Sequence, residues 1–221
     1  MNKFAIGCGG LLVITLFIVF VIGLFFWGTY NRLVGLQQSV DAQWAQVQTV
    51  YQRRADLIPN LVNTVAGAAN FEKSTLTEVT NARASVGRVQ LDPSKAPTDA
   101  KQLQEFQAAQ GQLSNALSRL LVVAENYPQL RATENFQGLQ AQLEGTENRI
   151  SVERNKFNTV VQEYNVAVRR FPTNTIAGMF GFSPRPFFAA QQGAEKAPNV
   201  QFNFGSPAPA ASPAATAAAT P

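Results

Sequence analysis

Histidine is absent from this sequence, and cysteine occurs once, as Cys8. Without imidazole there is no Ser-His or Cys-His nucleophile pair and no histidine general base. A lone cysteine closes no disulfide within the chain, and with no histidine beside it there is no zinc site. Charge is scarce as well: 14% of the 221 residues are charged, with 18 Lys and Arg against 14 Asp and Glu. Between Gly28 and Phe171 there are 15 Lys and Arg against 13 Asp and Glu, a near-neutral balance that argues against a nucleic-acid surface. No DxD, paired-glutamate helix motif or glycine-rich phosphate loop is present, and no cofactor or metal is expected.

The longest stretch without charge is FAIGCGGLLVITLFIVFVIGLFFW, from Phe4 to Trp27. Its 24 residues exceed the roughly 20 needed to cross a bilayer core as a helix. Phe25, Phe26 and Trp27 crowd its end, where a cleavable signal peptide would carry small residues. Trp27 and Tyr30 suit the membrane–water interface. We therefore read residues 1–29 as a single-pass anchor, with the transmembrane helix over about residues 4–27. Lys3 on one flank and Arg32 on the other come close to a tie under the positive-inside rule. The expectation is a single-pass membrane protein with its N-terminus inside and its bundle extracytoplasmic.

From residue 30 the pattern changes. Leu33, Leu36, Val40, Trp44, Val47 and Tyr51 recur in steps of three and four, one stripe of a helix that continues the anchor. Pro59, the first proline, is expected to kink or restart it. A second helix is expected from Asn60 to about Val86, and Asp92-Pro93 and Ala96-Pro97 mark a loop. Thr98 or Asp99 would cap a third helix with the stripe Leu103, Phe106, Gln110, Leu113, Leu117, Leu120, Ala124 and Tyr127, ended by Pro128. A fourth begins near Thr133 and carries Phe136, Leu139, Leu143, Thr146, Ile150, Glu153, Phe157, Val160, Tyr164, Ala167 and Phe171. Long helices with narrow stripes and short connections predict an all-α fold: the membrane helix followed by an antiparallel bundle over residues 30–172. Residues 173–204 read as an aromatic-rich extension without helical period, and 205–221 as a disordered Ala/Pro-rich tail.

Several segments, in order, resemble the LemA family of bacterial membrane proteins: YNRLVGLQQSVDAQWAQV (30–47), RRADLIPNLV (53–62), ENYPQLRATENF (125–136), ERNKFN (153–158), EYNVAVRRFPTN (163–174), FGFSPRPFF (180–188) and AEKAPNVQF (194–202). The resemblance implies a membrane helix carrying a helical bundle, and no reaction. Gln43 stands where alanine is usual, and Phe71 where histidine is expected.

The polar candidates are Arg53, Arg54, Asp56 and Asn60 around Pro59, read either as a partner site or as helix-end capping with ion pairs. Glu153 falls on an apolar stripe, so it is expected to be buried and paired with Arg53 or Arg54, a structural lock rather than a catalytic acid. Arg185, Phe187 and Phe188 are candidates for contact with a partner or lipid headgroups. The function expected is a non-catalytic, membrane-anchored interaction or scaffold protein. It would bind the bilayer through its N-terminal helix and an unidentified membrane or envelope protein through its bundle, with homo-oligomers left open. A bundle holding an apolar or lipid ligand is the alternative, and a metal-assisted hydrolase using carboxylates a third.

Overall fold

The computed structural model describes residues 2–68, 71–89 and 91–189, with side chains from Leu12 onward. The tail 205–221 and the extension beyond residue 189 lie outside the described residues.

Helix α1 runs from Asn2 to Ala66, 65 residues without interruption, or about 98 Å at 1.5 Å per residue. Its first part is apolar on every side, and from Leu12 to Phe25 the large apolar side chains are exposed. Such an all-round apolar surface suits a lipid surround, and among the described residues this is the one helix long and apolar enough to cross a membrane. Beyond residue 30 the same helix becomes one-sided. Leu33, Val40, Trp44, Val47, Tyr51, Arg54, Ile58, Leu61 and Val65 are all buried.

Pro59 lies inside α1, and the helix does not restart there. The missing proline N–H would leave the carbonyl of Ala55 without its donor. The Arg83 side chain reaches across from the next helix and donates its Nε–H to that oxygen at 3.1 Å. The expected second helix from Asn60 is therefore the end of α1. After Gly67, the shorter α2 spans Lys73–Arg88.

Helix α3 spans Ala100–Ala124, and Asp99 caps it by accepting from the Lys101 N–H at 2.8 Å. One turn, α4 (Pro128–Arg131), leads to α5 (Glu134–Arg169), which Thr133 caps by accepting from the Phe136 N–H at 3.4 Å. Pairings along the helices fix their directions. Gln43 meets Glu153 while Arg54 meets Glu147, so α1 and α5 are antiparallel. Phe106 packs on Trp44 and Gln110 meets Arg54, so α3 runs with α1. Glu78 pairs with Arg119 and Arg83 with Ala55, setting α2 against both. The result is an all-α, up-down-up-down bundle with no strand among the described residues.

Past Pro172 the sequence pattern gave no helix, yet α6 forms over Thr173–Met179, burying Ile176 and Ala177. Its seven residues make two turns, too few for a periodicity to register. The compact unit continues through Phe188, so residues 173–188 of the expected extension belong to it.

The Ala55 carbonyl yields a test. Pro59→Ala restores the backbone donor, and Arg83→Ala removes the substitute. Arg83→Ala should cost about 1 kcal/mol in the parent and much less in the Pro59→Ala background, read by urea unfolding. Equal losses in both backgrounds would show that Arg83 does not serve that carbonyl.

Candidate functional site

Arg54 occupies a core position of the α1 stripe, three residues after Tyr51 and four before Ile58, and is 1% exposed. Its guanidinium donates to Ser114 Oγ at 2.9 Å, to Glu147 Oε1 at 2.5 Å and to Gln110 Oε1. The Tyr51 ring lies 5.2 Å from its Cζ. Gln110 and Thr146 are buried too. The three buried residues come from α1, α3 and α5, and they form a polar layer that separates two apolar clusters. On one side lie Trp44, Tyr51, Phe106, Ile150 and Phe157, on the other Ile58, Leu61, Leu113, Leu120, Phe136 and Leu143. Burial raises the Tyr51 hydroxyl above its ordinary pKa, against the opposing pull of Arg154 and Arg54.

Arg53, Asp56 and Asn60 are not part of that layer. They are exposed, at i, i+3 and i+7 on one outward face of α1. Asp56 accepts from Gln52 Nε2 at 2.7 Å. The expected group of four is thus divided by helical geometry, because residue 54 lies about 100° around the helix from residue 53.

Glu153 is half-buried and meets neither Arg53 nor Arg54. It accepts from Gln43 Nε2 at 2.7 Å and from Lys156 Nζ at 2.8 Å. These two hydrogen bonds, Lys156 first, lower its pKa from the usual carboxylate range. The α1 arginine pairs instead with Glu147, almost two turns earlier on α5, because the antiparallel register sets residue 54 opposite residue 147. The unusual Gln43 is therefore the residue that engages Glu153. Phe71, in the position where histidine was expected, is buried against the Tyr127 ring at 5.0 Å.

The segment after α6 returns along α5 in extended form, held by two side-chain amides. Asn165 accepts from the Arg185 N–H at 2.7 Å and donates to the Arg185 carbonyl at 2.8 Å. Asn158 does the same to Phe188, at 2.9 and 3.1 Å. Seven helical residues advance about 10.5 Å, and three extended residues about 10 Å, so the two spacings match. The clamp seats Phe188 in the core, 4% exposed and stacked on Trp44 at 6.1 Å. Phe188 is consequently not a surface contact, whereas Phe187 is half-exposed. Arg185 is turned inward, donating to the Ala96 carbonyl at 2.9 Å rather than reaching headgroups. Phe182 packs against the core from its edge.

At the end of the bundle nearest the anchor, Phe180 and Phe182 set their ring edges on Tyr30, with centroids at 5.0 and 5.8 Å. Phe180 also lines an apolar groove of about 430 Å³ with Gly23, Phe26, Trp27, Tyr30 and Asn31. No sequence period marked this groove, since its two walls lie some 150 residues apart. Among the described residues no three carboxylate or thiol side chains gather as a metal site requires.

The sequence model of the LemA family matches residues 43–202. Similar chains include the magnetosome protein MamQ of Magnetospirillum gryphiswaldense, 26% identical over 72% of this chain and 64% of that protein. The magnetosome protein MamQ 1 of Paramagnetospirillum magneticum is 25% identical over the same shares. Protein LemA of Metamycoplasma hominis is 23% identical over 73% of this chain and 71% of its own. The match to the magnetosome proteins spans less than two thirds of their length.

The polar layer makes a sharp prediction. Gln110→Leu deprives a buried guanidinium of an acceptor and should lower stability by about 2 kcal/mol. Arg54→Met with Gln110→Leu removes the charge as well, and should recover most of that loss, because apolar residues replace buried ionic groups at little net cost. Thermal melts of the detergent-solubilised chain measure both. A double variant less stable than Gln110→Leu alone would show that the guanidinium is needed for more than its own satisfaction.

Proposed function

We propose that this chain, which belongs to the LemA family, is a membrane-tethered interaction or scaffold protein with no catalysis of its own. The observation that carries this reading is how the interior is used. Among the described residues Arg54 is the buried arginine; its two terminal nitrogens are taken by Gln110, Ser114 and Glu147, and aromatic and aliphatic side chains pack on either side of it. Function then falls to the outer surface, and the exposed face Arg53, Asp56 and Asn60 of α1 is our candidate for a membrane or envelope partner. Arginine dominates interface energies, and Arg53 here stands exposed on a helix held rigid by the bundle behind it.

Because α1 continues from the apolar segment into the bundle, that face keeps a fixed height and heading above the bilayer. We place the bundle on the extracytoplasmic side. A second reading, a bundle that takes a lipid or apolar ligand, has the groove beside Tyr30 and Phe180 in its favour. A carboxylate-based hydrolase has no such observation behind it.

One pair of measurements tests this. A cysteine introduced by Arg53→Cys, with Cys8→Ser, should react with a membrane-impermeant maleimide in cells whose outer layer alone is permeabilised. Labelling only after the inner membrane is breached would put the bundle in the cytoplasm. A photo-crosslinker at position 53 should join the chain to a specific membrane protein. Replacing Asp56 and Asn60 by alanine should weaken that capture by roughly tenfold, about 1.4 kcal/mol, with an unchanged melting temperature. Undiminished capture would remove this face as the contact.

A further inference from the structure

We infer that the anchor-side end of the bundle is a second membrane-contact surface, seating Phe180, Met179 and Phe171 at the bilayer boundary and taking anionic phospholipid headgroups on Arg32, Arg169 and Arg170. The inference rests on the reading that the N-terminal part of α1 spans a bilayer. Its starting point is a matter of level. The uncharged run ends at Trp27, and its 24 residues extend about 36 Å against a hydrocarbon core of about 30 Å. The last turn of the run therefore lies at the boundary between hydrocarbon and headgroups. Phe180 shares a groove with Gly23, Phe26 and Trp27, which places its ring beside that last turn.

The exposure of the neighbouring residues fits the same surroundings. Trp27 is 73% exposed, Phe171 79%, Met179 68% and Phe180 53%. Large apolar side chains are left uncovered here at the turn after α5 and at the far end of α6, while Ile176 and Ala177 on the other face of α6 are buried. In water this is an unsatisfied patch, whereas at a bilayer boundary aromatic and thioether groups are stabilised. The bilayer is the occupant because it is already there: the patch is continuous with the helix that crosses it.

Charge supports the same assignment. Residues 28–40 and 164–188 contain four arginines and no Asp or Glu. Arg185 is engaged with Ala96. Arg32, Arg169 and Arg170 are exposed, and among the described residues none of them takes part in a salt bridge. An end surface with cations, no carboxylate and a rim of aromatic rings is matched to phosphate headgroups over hydrocarbon.

The test uses the full chain reconstituted in vesicles of phosphatidylcholine, or an equimolar mixture with phosphatidylglycerol, each with brominated acyl chains as contact quenchers. In the parent chain, quenching of Trp27 reports insertion of the anchor, since Trp44 is buried in the bundle core. In a variant with Trp27→Phe and Phe180→Trp, the new indole reports the bundle end. It should be quenched to within roughly twofold of Trp27, both indoles lying in the interfacial belt, and more strongly in the anionic mixture. Arg169→Gln with Arg170→Gln should reduce that quenching to the level seen in phosphatidylcholine. Met179→Trp, in place of Phe180→Trp, gives the same reading from a second exposed position should the first variant misfold. Quenched Trp27 with unquenched indoles at 179 and 180 would overturn the inference and leave the anchor standing. No quenching at any of these positions would overturn the anchor reading and the inference with it. Quenching at 180 that ignores both lipid charge and the arginine substitutions would overturn the headgroup assignment.

Discussion

Helix α1 continues from Asn2 to Ala66, past the ladder bond that Pro59 cannot make, and the remaining architecture depends on that continuity. A helix is stiff along its axis, so whatever packs on its far part is fixed relative to its near part. Helix α5 lies antiparallel along it, α2 and α3 cover its distal half, and α6 turns back beside its exit from the apolar segment. Two glycines, Gly28 and Gly35, stand in the stretch where the surroundings change from apolar to one-sided, and neither interrupts the helix. The one proline is accommodated because a side chain from α2 replaces the backbone donor that it lacks.

Within the bundle, the buried layer of Arg54, Gln110 and Thr146 sets helices at one register. Sliding α1 by one turn along α5 would carry the guanidinium away from Glu147 and into an apolar cluster, leaving a charge without acceptors. Much of this was written in the sequence. Gln110 and Thr146 stand on the apolar stripes of the third and fourth helices, and extending the first stripe beyond Tyr51 in the same steps lands on Arg54 and then Ile58. What hid the layer was Pro59. With Pro59 taken as a kink or restart, the stripe is followed only to Tyr51, and Arg54 is grouped with Arg53, Asp56 and Asn60 or offered as the partner of Glu153. The donor that makes Pro59 tolerable comes from Arg83, 24 residues away in sequence, a compensation that local rules do not show.

The return segment was legible only as an aromatic-rich extension without helical period. Which of its phenylalanines go inside depends on Asn158 and Asn165, whose amides pair with the backbone of one extended segment. A helical spacing of seven meeting an extended spacing of three is a three-dimensional coincidence, invisible to any single period. The same geometry turns Arg185 inward and leaves Phe180 against Tyr30. The aromatic residues thus divide between core and boundary by register along α5 rather than by composition.

The central claim is that anchor and bundle form one rigid body through α1. It is tested most directly by electron–electron distance measurement between spin labels at positions 17 and 38, both exposed on α1, in a Cys8→Ser chain reconstituted in lipid nanodiscs. An unbroken helix places these positions about 32 Å apart, and the account predicts one narrow distance distribution near that value. A broad distribution, or a mean several ångströms shorter, would mean that the helix bends or breaks near Gly28, and that the bundle moves independently of its anchor.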